Sequence, residues 1–531
     1  MRQSSAFAAG LLGWSPVEAL AYPALQMPSD SATPDSPSHL AAGHAAGERA
    51  ARNTAVRAAG EIIGKLGSLV LLAVLARKVG DARLGVFVFG LAWAEVAMTP
   101  VGLGIDQYLM RQVAADHSRV DAYFWNAMSL KLQRGVPIVA GSIAVVYLLD
   151  YSHETALTVS ILTVGLLFDT MARSPANLFV AFERGELFAS SIVVQRMLAA
   201  VLGLAVLFAG FGVVAVSITF SLGALVRFVM SMQLLGTRLG WPRMIRPSDV
   251  RREIRRHSLT FTAQDVFGLV LARADVLLLA ALASHAVVGL YGSAYRLFEA
   301  TTFINVALAG AFTAMYTYLG RDTSPTLGAV FQRSIKLCVA LLLPIALTLG
   351  LLAQPLCRAF FGADFVEAAD PLRLLAPVVV LFGLMVLCSV LVLSRSNPRR
   401  MVYTVAVAAA VNIGLNFALI PGLEDVGAAL AMLFSMVVYT SIALWLAVLE
   451  VGRINWVSML AAPALAAIAM AVPLLLLGDL WPLAILGGTF VYLAVYAAVD
   501  RLVDPEDLRF VTGLVRRRMP FGDPPAQTEA S

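Results

Sequence analysis

The chain contains fourteen apolar runs, each long enough to cross a lipid bilayer, which takes about 20 residues of helix. Only 14% of its residues are charged and 59% are hydrophobic, whereas a soluble domain holds about 25% charged residues. Backbone groups inside a bilayer must bond within their own segment, so such runs fold as helices. We therefore predict an all-α integral membrane protein of about 14 transmembrane helices, at residues 56–76, 84–106, 133–149, 155–175, 189–209, 213–235, 259–283, 287–308, 334–353, 374–394, 401–420, 427–449, 456–477 and 481–500.

The basic residues indicate the orientation of the chain, because Lys and Arg concentrate on the cytoplasmic side of membrane proteins. With the N-terminus inside, seven arginines fall in one cytoplasmic linker: Arg238, Arg243, Arg246, Arg251, Arg252, Arg255 and Arg256. The loops on the opposite side carry only Arg77, Lys78, Arg83, Arg358 and Arg373. We therefore predict that both termini are cytoplasmic and that the linker attracts anionic lipid headgroups. Nucleic-acid binding is disfavoured, because the charges are spread between apolar runs rather than gathered on one face.

Two stretches that lie 204 residues apart share a pattern. Gly85 precedes Glu95 by ten residues, and Gly289 precedes Glu299 by ten residues. Six helices separate the stretches, so both enter the membrane in the same direction, which predicts two six-helix lobes as a parallel pseudo-repeat plus two C-terminal helices. The predicted divisions are a disordered cytoplasmic tail (1–50), an N-terminal lobe (51–236), the basic linker (237–258), a C-terminal lobe (259–450), helices thirteen and fourteen (451–500) and a cytoplasmic C-terminal tail (501–531).

Three blocks of sequence lie near the ends of predicted helices. They are LARKVG at 75–80 with Leu84-Gly85, GLG at 102–104 and Arg111; ADVL at 274–277 with VGLY at 288–291 and AYR at 294–296; and NIGLNFALIP at 412–421 with VGAALA at 426–431. In this order they resemble the Wzx-type polysaccharide-exporter flippases, within the superfamily of multidrug, oligosaccharidyl-lipid and polysaccharide transporters. Leu84 departs from the family pattern, which often has an aromatic residue there, and the long N-terminal tail is also unusual.

The resemblance implies a flippase that moves an undecaprenyl-pyrophosphate-linked oligosaccharide, a repeat unit of O-antigen, exopolysaccharide or capsule, to the periplasmic leaflet of a bacterial inner membrane. The implied partners are that polyprenyl-pyrophosphate-linked glycan, membrane lipids and other polysaccharide assembly proteins. A lipid II flippase, a multidrug or toxin extruder and a membrane polysaccharide polymerase or ligase remain alternatives. Intramembrane arginines disfavour an extruder of cationic drugs, and the modest outside loop at about 354–373 disfavours an enzyme.

Charged residues inside predicted helices are the candidates for a site, because a charge at mid-membrane costs about 2.5–3.5 kcal/mol unless it faces a cavity or a partner. Three pairs have the spacing of ion pairs on one helix: Glu61–Lys65, Asp169–Arg173 and Arg296–Glu299. Three arginines have no such partner on their own helix: Arg196, Arg227 and Arg273. These three are therefore the first candidates to line a cavity.

The substrate that the resemblance implies contains a pyrophosphate, and arginine binds phosphate oxygens through two parallel hydrogen bonds. We therefore predict a wet, cationic cavity between the lobes, lined by Arg196, Arg227 and Arg273 with Lys65 and Arg296 as supplements. Glu95 and Asp275 are candidates for coupling transport to a proton or sodium ion. The alternative for both is a buried carboxyl that bonds a neighbouring helix.

The remaining reactive side chains show no catalytic or metal-binding pattern. The three cysteines (Cys338, Cys357 and Cys388) lack paired spacing, and the six histidines fall in predicted loops or tails. No metalloprotease or phosphate-loop motif is present. We therefore expect a chain without catalytic residues, metal site or cofactor.

Overall fold

The computed structural model describes residues 37–102, 104–245, 247–319, 325–395, 399–452 and 454–503. Within these ranges the chain is helical and contains no strand. The first half forms α1 (Pro37–Gly102), α2 (Ile105–Ala115), α3 (Val120–Leu148), α4 (His153–Ala181), α5 (Gly185–Phe208) and α6 (Val213–Arg238). The second half forms α7 (Ser248–Leu282), α8 (His285–Leu319), α9 (Pro325–Leu351), α10 (Ala353–Phe361), α11 (Ala369–Arg395), α12 (Arg399–Val451), α13 (Trp456–Leu476) and α14 (Trp481–Val503).

Two of these helices are broken, so that each crosses the membrane twice. The break in α1 is at Gly80, where φ is 81°, and the break in α12 is at Glu424, where φ is 47°. Nine stretches of the described residues, these two helices among them, have the length and apolarity to span a membrane. The helices α3, α7 and α8 are also long enough, with 29, 35 and 35 residues. Counting each limb of α1 and α12 separately, the described part of the chain contains the fourteen predicted crossings.

The structure corrects the predicted ends of several segments. The prediction of a disordered tail is wrong for residues 37–50, which are helical; five of these fourteen residues are alanine, the strongest helix former. The basic linker is helical from Ser248 onward, because α7 extends beyond its apolar part. The second predicted helix stops at Gly102, and α2 follows as a separate short helix. The tail residues 1–36 and 504–531 lie outside the described residues.

The helices pack into two groups that share one face. Within the first half, α1 packs against α3, α4 and α5, and α6 packs against α4 and α5. Within the second half, α11 and α12 pack together and contact α7, α8 and α9, while α13 and α14 pack on α9. Large apolar side chains of the last two helices are exposed, such as Leu476 (78%) and Phe490 (74%), as lipid contact requires. The shared face consists of α1 on one side and of α7 and α8 on the other.

The second limb of α1 (residues 81–102) crosses α8 at the two repeat-related glycines. A Cβ atom on Gly85 would overlap the carbonyl oxygen of His285, and one on Gly289 would overlap the carbonyl oxygen of Asp81. His285 follows Asp81 by 204 positions, the same offset that separates the glycines. The two halves of the repeat therefore make equivalent contacts at the crossing, and the missing side chains allow the two backbones to touch.

A charged candidate site between the lobes

Glu95 and Arg273 form an ion pair across the shared face. Glu95 lies on the second limb of α1 and Arg273 on α7, and Nε and Nη2 of the arginine donate to the two carboxylate oxygens, the latter at 3.3 Å. The guanidinium also lies 5.7 Å from the centre of the Tyr295 ring. The side chains are 10% exposed for Arg273 and 26% exposed for Glu95. The arginine without a partner on its own helix is thus paired with a residue of the other lobe.

Lys65 reaches the same region from the first limb of α1. Its Nζ donates to Oγ1 of Thr302 on α8 at 2.6 Å. The Thr302 hydroxyl donates in turn to the backbone oxygen of Glu299 at 2.7 Å. Glu61 is the partner that the spacing predicts for Lys65, but its side chain is not among those described. Lys65 therefore makes a second polar contact between the lobes.

Glu299 is the acidic residue around which the cations gather. Arg296, three positions earlier on α8, forms the predicted ion pair with it at 2.8 Å. The charges of Arg273, Lys65 and Arg196 also act on the Glu299 carboxylate. Four of the five predicted phosphate-binding residues therefore lie around the Glu299 carboxylate: Lys65, Arg196, Arg273 and Arg296.

Arg196 joins this group from α5. Its side chain lies over Gly64 of α1, where a Cβ atom would overlap the arginine. We name the whole set the interlobe charge cluster, which comprises Lys65, Glu95, Arg196, Arg273, Arg296 and Glu299. The named cluster contains four cations and two carboxylates. The N–H donors of its lysine and three arginines suit it to binding an anion.

Arg227, the fifth predicted phosphate ligand, lies inside the N-terminal lobe. Its Nη1 donates to Asp169 of α4 at 2.7 Å and to Gln195 of α5 at 3.2 Å. Asp169 also pairs with Arg173 at 3.4 Å, as their spacing predicts. The Arg227 side chain is only 6% exposed. Its described contacts thus join α4, α5 and α6, and do not extend to the interlobe charge cluster.

Asp275 is buried inside the C-terminal lobe, with 1% of its surface exposed. Tyr291 Oη and Asn416 Nδ2 donate to its carboxylate at 2.7 and 2.8 Å. Asn412 Nδ2 donates to Ser435 Oγ at 3.3 Å, so the two asparagines link helices. This geometry is the one expected for a buried carboxyl that bonds neighbouring helices, and ion coupling by Asp275 stays a prediction.

Two buried ion pairs outside the cluster have no counterpart among the predicted sites. Nζ of Lys131 donates to the two carboxylate oxygens of Asp106 at 2.5 and 2.6 Å, and Ser174 donates to the same carboxylate at 2.8 Å. Lys336 on α9 lies 2.6 Å from Asp500 on α14. All four charged residues fall near the ends of predicted helices or in a loop, where charges normally meet water. The sequence therefore carries no signal of their burial.

The described residues contain no group of three His, Cys, Asp or Glu side chains placed to hold a metal ion. The three cysteines are free thiols, and all three are buried. The charged groups described above therefore define the candidate site.

Solved structures share the fold of this chain. The lipid II flippase MurJ, in an inward closed conformation, is 13% identical with a TM-score of 0.69, over 85% of this chain and 98% of that one. An inward-facing multidrug resistance transporter of the MATE family is 15% identical with a TM-score of 0.62, over 73% of this chain and 94% of that one. A transporter of the same superfamily from Pyrococcus furiosus, described as having a binding pocket of reverse polarity, is 16% identical with a TM-score of 0.55, over 75% of this chain and 96% of that one.

These likenesses establish the fold, and the sequence itself identifies the family. No curated protein matches the chain in sequence. A family model described as polysaccharide biosynthesis protein matches residues 50–321, just over half of the chain. The match runs from residue 50, within α1, to the end of α8, and it includes every member of the interlobe charge cluster. The chain therefore belongs to the polysaccharide biosynthesis protein family.

Proposed function

We propose that this chain is a flippase for an undecaprenyl-pyrophosphate-linked oligosaccharide, a repeat unit of O-antigen, exopolysaccharide or capsule. It moves the headgroup from the cytoplasmic to the periplasmic leaflet of a bacterial inner membrane, with both of its own termini in the cytoplasm. The two lobes alternate access to a site on their shared face while the polyprenyl tail stays in lipid. Membership in the polysaccharide biosynthesis family supports a lipid-linked glycan as the substrate.

The gathering of four cationic side chains in the interlobe charge cluster is the observation that carries this proposal. A pyrophosphate headgroup cannot pass through hydrocarbon with its charge uncompensated. Arg273 and Arg196 offer planar donor forks that match phosphate oxygens, and Lys65 adds a compact charge. These four cations offer no acceptor for a cationic drug, which disfavours a multidrug extruder. The cluster therefore fits an anionic headgroup best.

Glu95 allows the cluster to exchange partners. Its carboxylate accepts hydrogen bonds from the Arg273 guanidinium in this structure. A phosphate group offers the same kind of acceptor oxygens. When phosphate replaces Glu95 on Arg273, the ion pair that joins the lobes is broken. Substrate binding thus loosens a contact that must open when the site changes sides, because a ligand shifts a conformation only through its differential affinity.

The membrane potential supplies a drive for export without ATP. With the cell interior negative, each negative charge moved outward gains roughly 2.3 kcal/mol per 100 mV. In our proposal, proton or sodium entry coupled through Glu95 or Asp275 adds to that drive.

The test in cells is deletion of the gene, followed by analysis of lipid-linked saccharides on the cytoplasmic leaflet. We expect one undecaprenyl-pyrophosphate-linked oligosaccharide to accumulate there, with loss of the matching surface glycan. Accumulation of lipid II would instead identify a lipid II flippase. Normal export of every surface glycan, in a strain without a second member of the family, contradicts the proposal.

Complementation of the deletion tests the site. Arg273→Gln should fail to restore export although the protein inserts normally. Arg358→Gln, which removes the same charge from an exposed position of α10, serves as the matched control and should restore it. Export by Arg273→Gln at the control level would remove Arg273 from the phosphate site.

A further inference from the structure

Arg273 contacts both lobes, in two different ways. Its guanidinium donates hydrogen bonds to Glu95 on α1, and it lies 5.7 Å from the centre of the Tyr295 ring on α8. The helices α7 and α8, which carry Arg273 and Tyr295, belong to the same lobe. Opening of the shared face would therefore separate Arg273 from Glu95 and leave it beside Tyr295.

Neighbouring aromatic rings hold the Tyr295 side chain in place. Tyr291 and Phe298, four positions before it and three positions after it, lie on the same face of α8. Their ring centres are 6.0 and 5.5 Å from that of Tyr295, at distances where aromatic pairs attract each other. Tyr291 is itself fixed, because its hydroxyl donates to Asp275 on α7 at 2.7 Å. Tyr295, which is 5% exposed, thus presents its ring to the guanidinium from a fixed position.

The repeat indicates that helix packing alone does not require an aromatic ring at this position. Leu91 precedes Tyr295 by 204 positions, the same offset that relates Glu95 to Glu299. Leu91 is 7% exposed, so the equivalent position of the other half is also buried, but an aliphatic side chain fills it. An aromatic ring attracts a guanidinium through its quadrupole, which leucine lacks. The ring is therefore found in the half that carries Arg273, where it has a cation to hold.

We propose that Tyr295 positions Arg273 for the phosphate of the transported lipid, by holding the guanidinium while Glu95 is exchanged for phosphate oxygens. The ring attracts the charge of the guanidinium, so a phosphate can replace Glu95 on the N–H groups without displacing the ring. Tyr295 moves with Arg273 when the lobes separate, and it keeps the arginine oriented after the interlobe ion pair has broken. Tyr295 acts through Arg273 and is a positioning residue. This inference rests on the proposed function.

The test is binding of undecaprenyl pyrophosphate, the carrier without its glycan, to the purified full-length protein in detergent. Tyr295→Leu introduces the side chain that the other half of the repeat has at this position, and it should weaken binding about tenfold, the effect of losing a desolvated cation–π contact. Tyr295→Met, whose flexible side chain fills irregular space, should cause the same loss and serves as the second variant if Tyr295→Leu does not fold. Tyr295→Phe keeps the ring and should bind as the wild type does.

The matched control removes an aromatic ring from the same lobe at a position away from Arg273. Phe331 on α9 is 0% exposed, and its ring packs on that of Tyr316. Phe331→Leu should lower the unfolding temperature through lost packing and leave the affinity for undecaprenyl pyrophosphate unchanged. A loss of affinity in this variant equal to that in Tyr295→Leu would reduce the effect of Tyr295 to packing and would overturn the proposal.

A double-variant cycle shows whether Tyr295 acts through Arg273. In Arg273→Gln the ring has no guanidinium to hold, so the addition of Tyr295→Leu should cause little further loss of affinity. A tenfold loss in both backgrounds would overturn the positioning role, as would wild-type affinity in Tyr295→Leu. No binding of undecaprenyl pyrophosphate by the wild type would instead contradict the proposed function, and this inference with it.

Discussion

Glu95 and Arg273, 178 residues apart in the chain, join the two lobes through an ion pair on their shared face. Glu299 occupies the position of the repeat that corresponds to Glu95, yet it pairs within its own helix with Arg296. The two halves therefore share a backbone arrangement and differ in how they neutralise charge. As a result, the Glu95–Arg273 ion pair lies where we propose that the phosphate binds.

Separate measurements of stability and of export in Arg273 variants should distinguish a phosphate ligand from a structural residue. Arg273→Met leaves Glu95 without this partner and should cost roughly 3 kcal/mol, the low end for a buried pair because Glu95 is 26% exposed. The double variant Glu95→Gln/Arg273→Met removes both charges and should recover most of that stability without recovering export. Thermal unfolding and export complementation measure the two effects. If the double variant recovers export as well as stability, the ion pair has a structural role only.

The glycine crossing should tolerate no side chain. Gly85→Val places a branched group against the backbone of His285, which no rotamer change can relieve, and should cost roughly 1–3 kcal/mol together with export. Gly414→Ala is the control, because nothing lies within 4 Å of a Cβ atom at that helical position, and it should shift stability by less than about 1 kcal/mol. The readouts are the unfolding temperature and complementation. Identical behaviour of the two variants would argue against a tight crossing.

Arg227 should matter for the stability of the N-terminal lobe rather than for phosphate binding. Arg227→Gln leaves Asp169 buried with one fewer cation and should lower the unfolding temperature. The neutral double variant Asp169→Asn/Arg227→Gln should regain stability and export at the wild-type level. Loss of export in this double variant, with stability intact, would return Arg227 to the phosphate-binding set.

The buried pair of Lys131 and Asp106 should be among the costliest to break. The Lys131 side chain is 0% exposed and that of Asp106 is 8% exposed, so Lys131→Met should cost roughly 3–5 kcal/mol. Lys78→Met changes an exposed lysine and should stay within about 0.5 kcal/mol. Thermal unfolding of the two purified variants compares them. A similar unfolding temperature for both would show that the pair contributes little.

Much of the fold follows from the sequence because the bilayer imposes length and apolarity on every crossing. The offset of 204 residues between Gly85 and Gly289 likewise predicts the repeat whose crossing the structure shows. Ion pairs within one helix, such as Arg296–Glu299, follow from spacing alone. Contacts of this local kind are the ones that sequence patterns encode directly.

The rest of the site depends on contacts between helices that no periodicity encodes. The partner of Arg273 is on the other lobe, and the partner of Arg227 is on α4. The two arginines have the same sequence signature, a charge in an apolar run without a local partner, yet one lies on the shared face and one inside a lobe. The helical start of α7 at Ser248 was also hidden, because its charged residues resemble those of a loop.

Translocation by purified protein in proteoliposomes tests the phosphate-binding role of the cluster most directly. An undecaprenyl-pyrophosphate-linked oligosaccharide supplied in one leaflet, and probed with an impermeant glycan-modifying enzyme, reports the rate of crossing. We predict that Arg196→Gln/Arg273→Gln slows crossing about a hundredfold, since each lost charge-assisted contact is worth about a factor of ten, while Arg358→Gln crosses at the wild-type rate. Equal rates for the double variant and the wild type would contradict the proposed site.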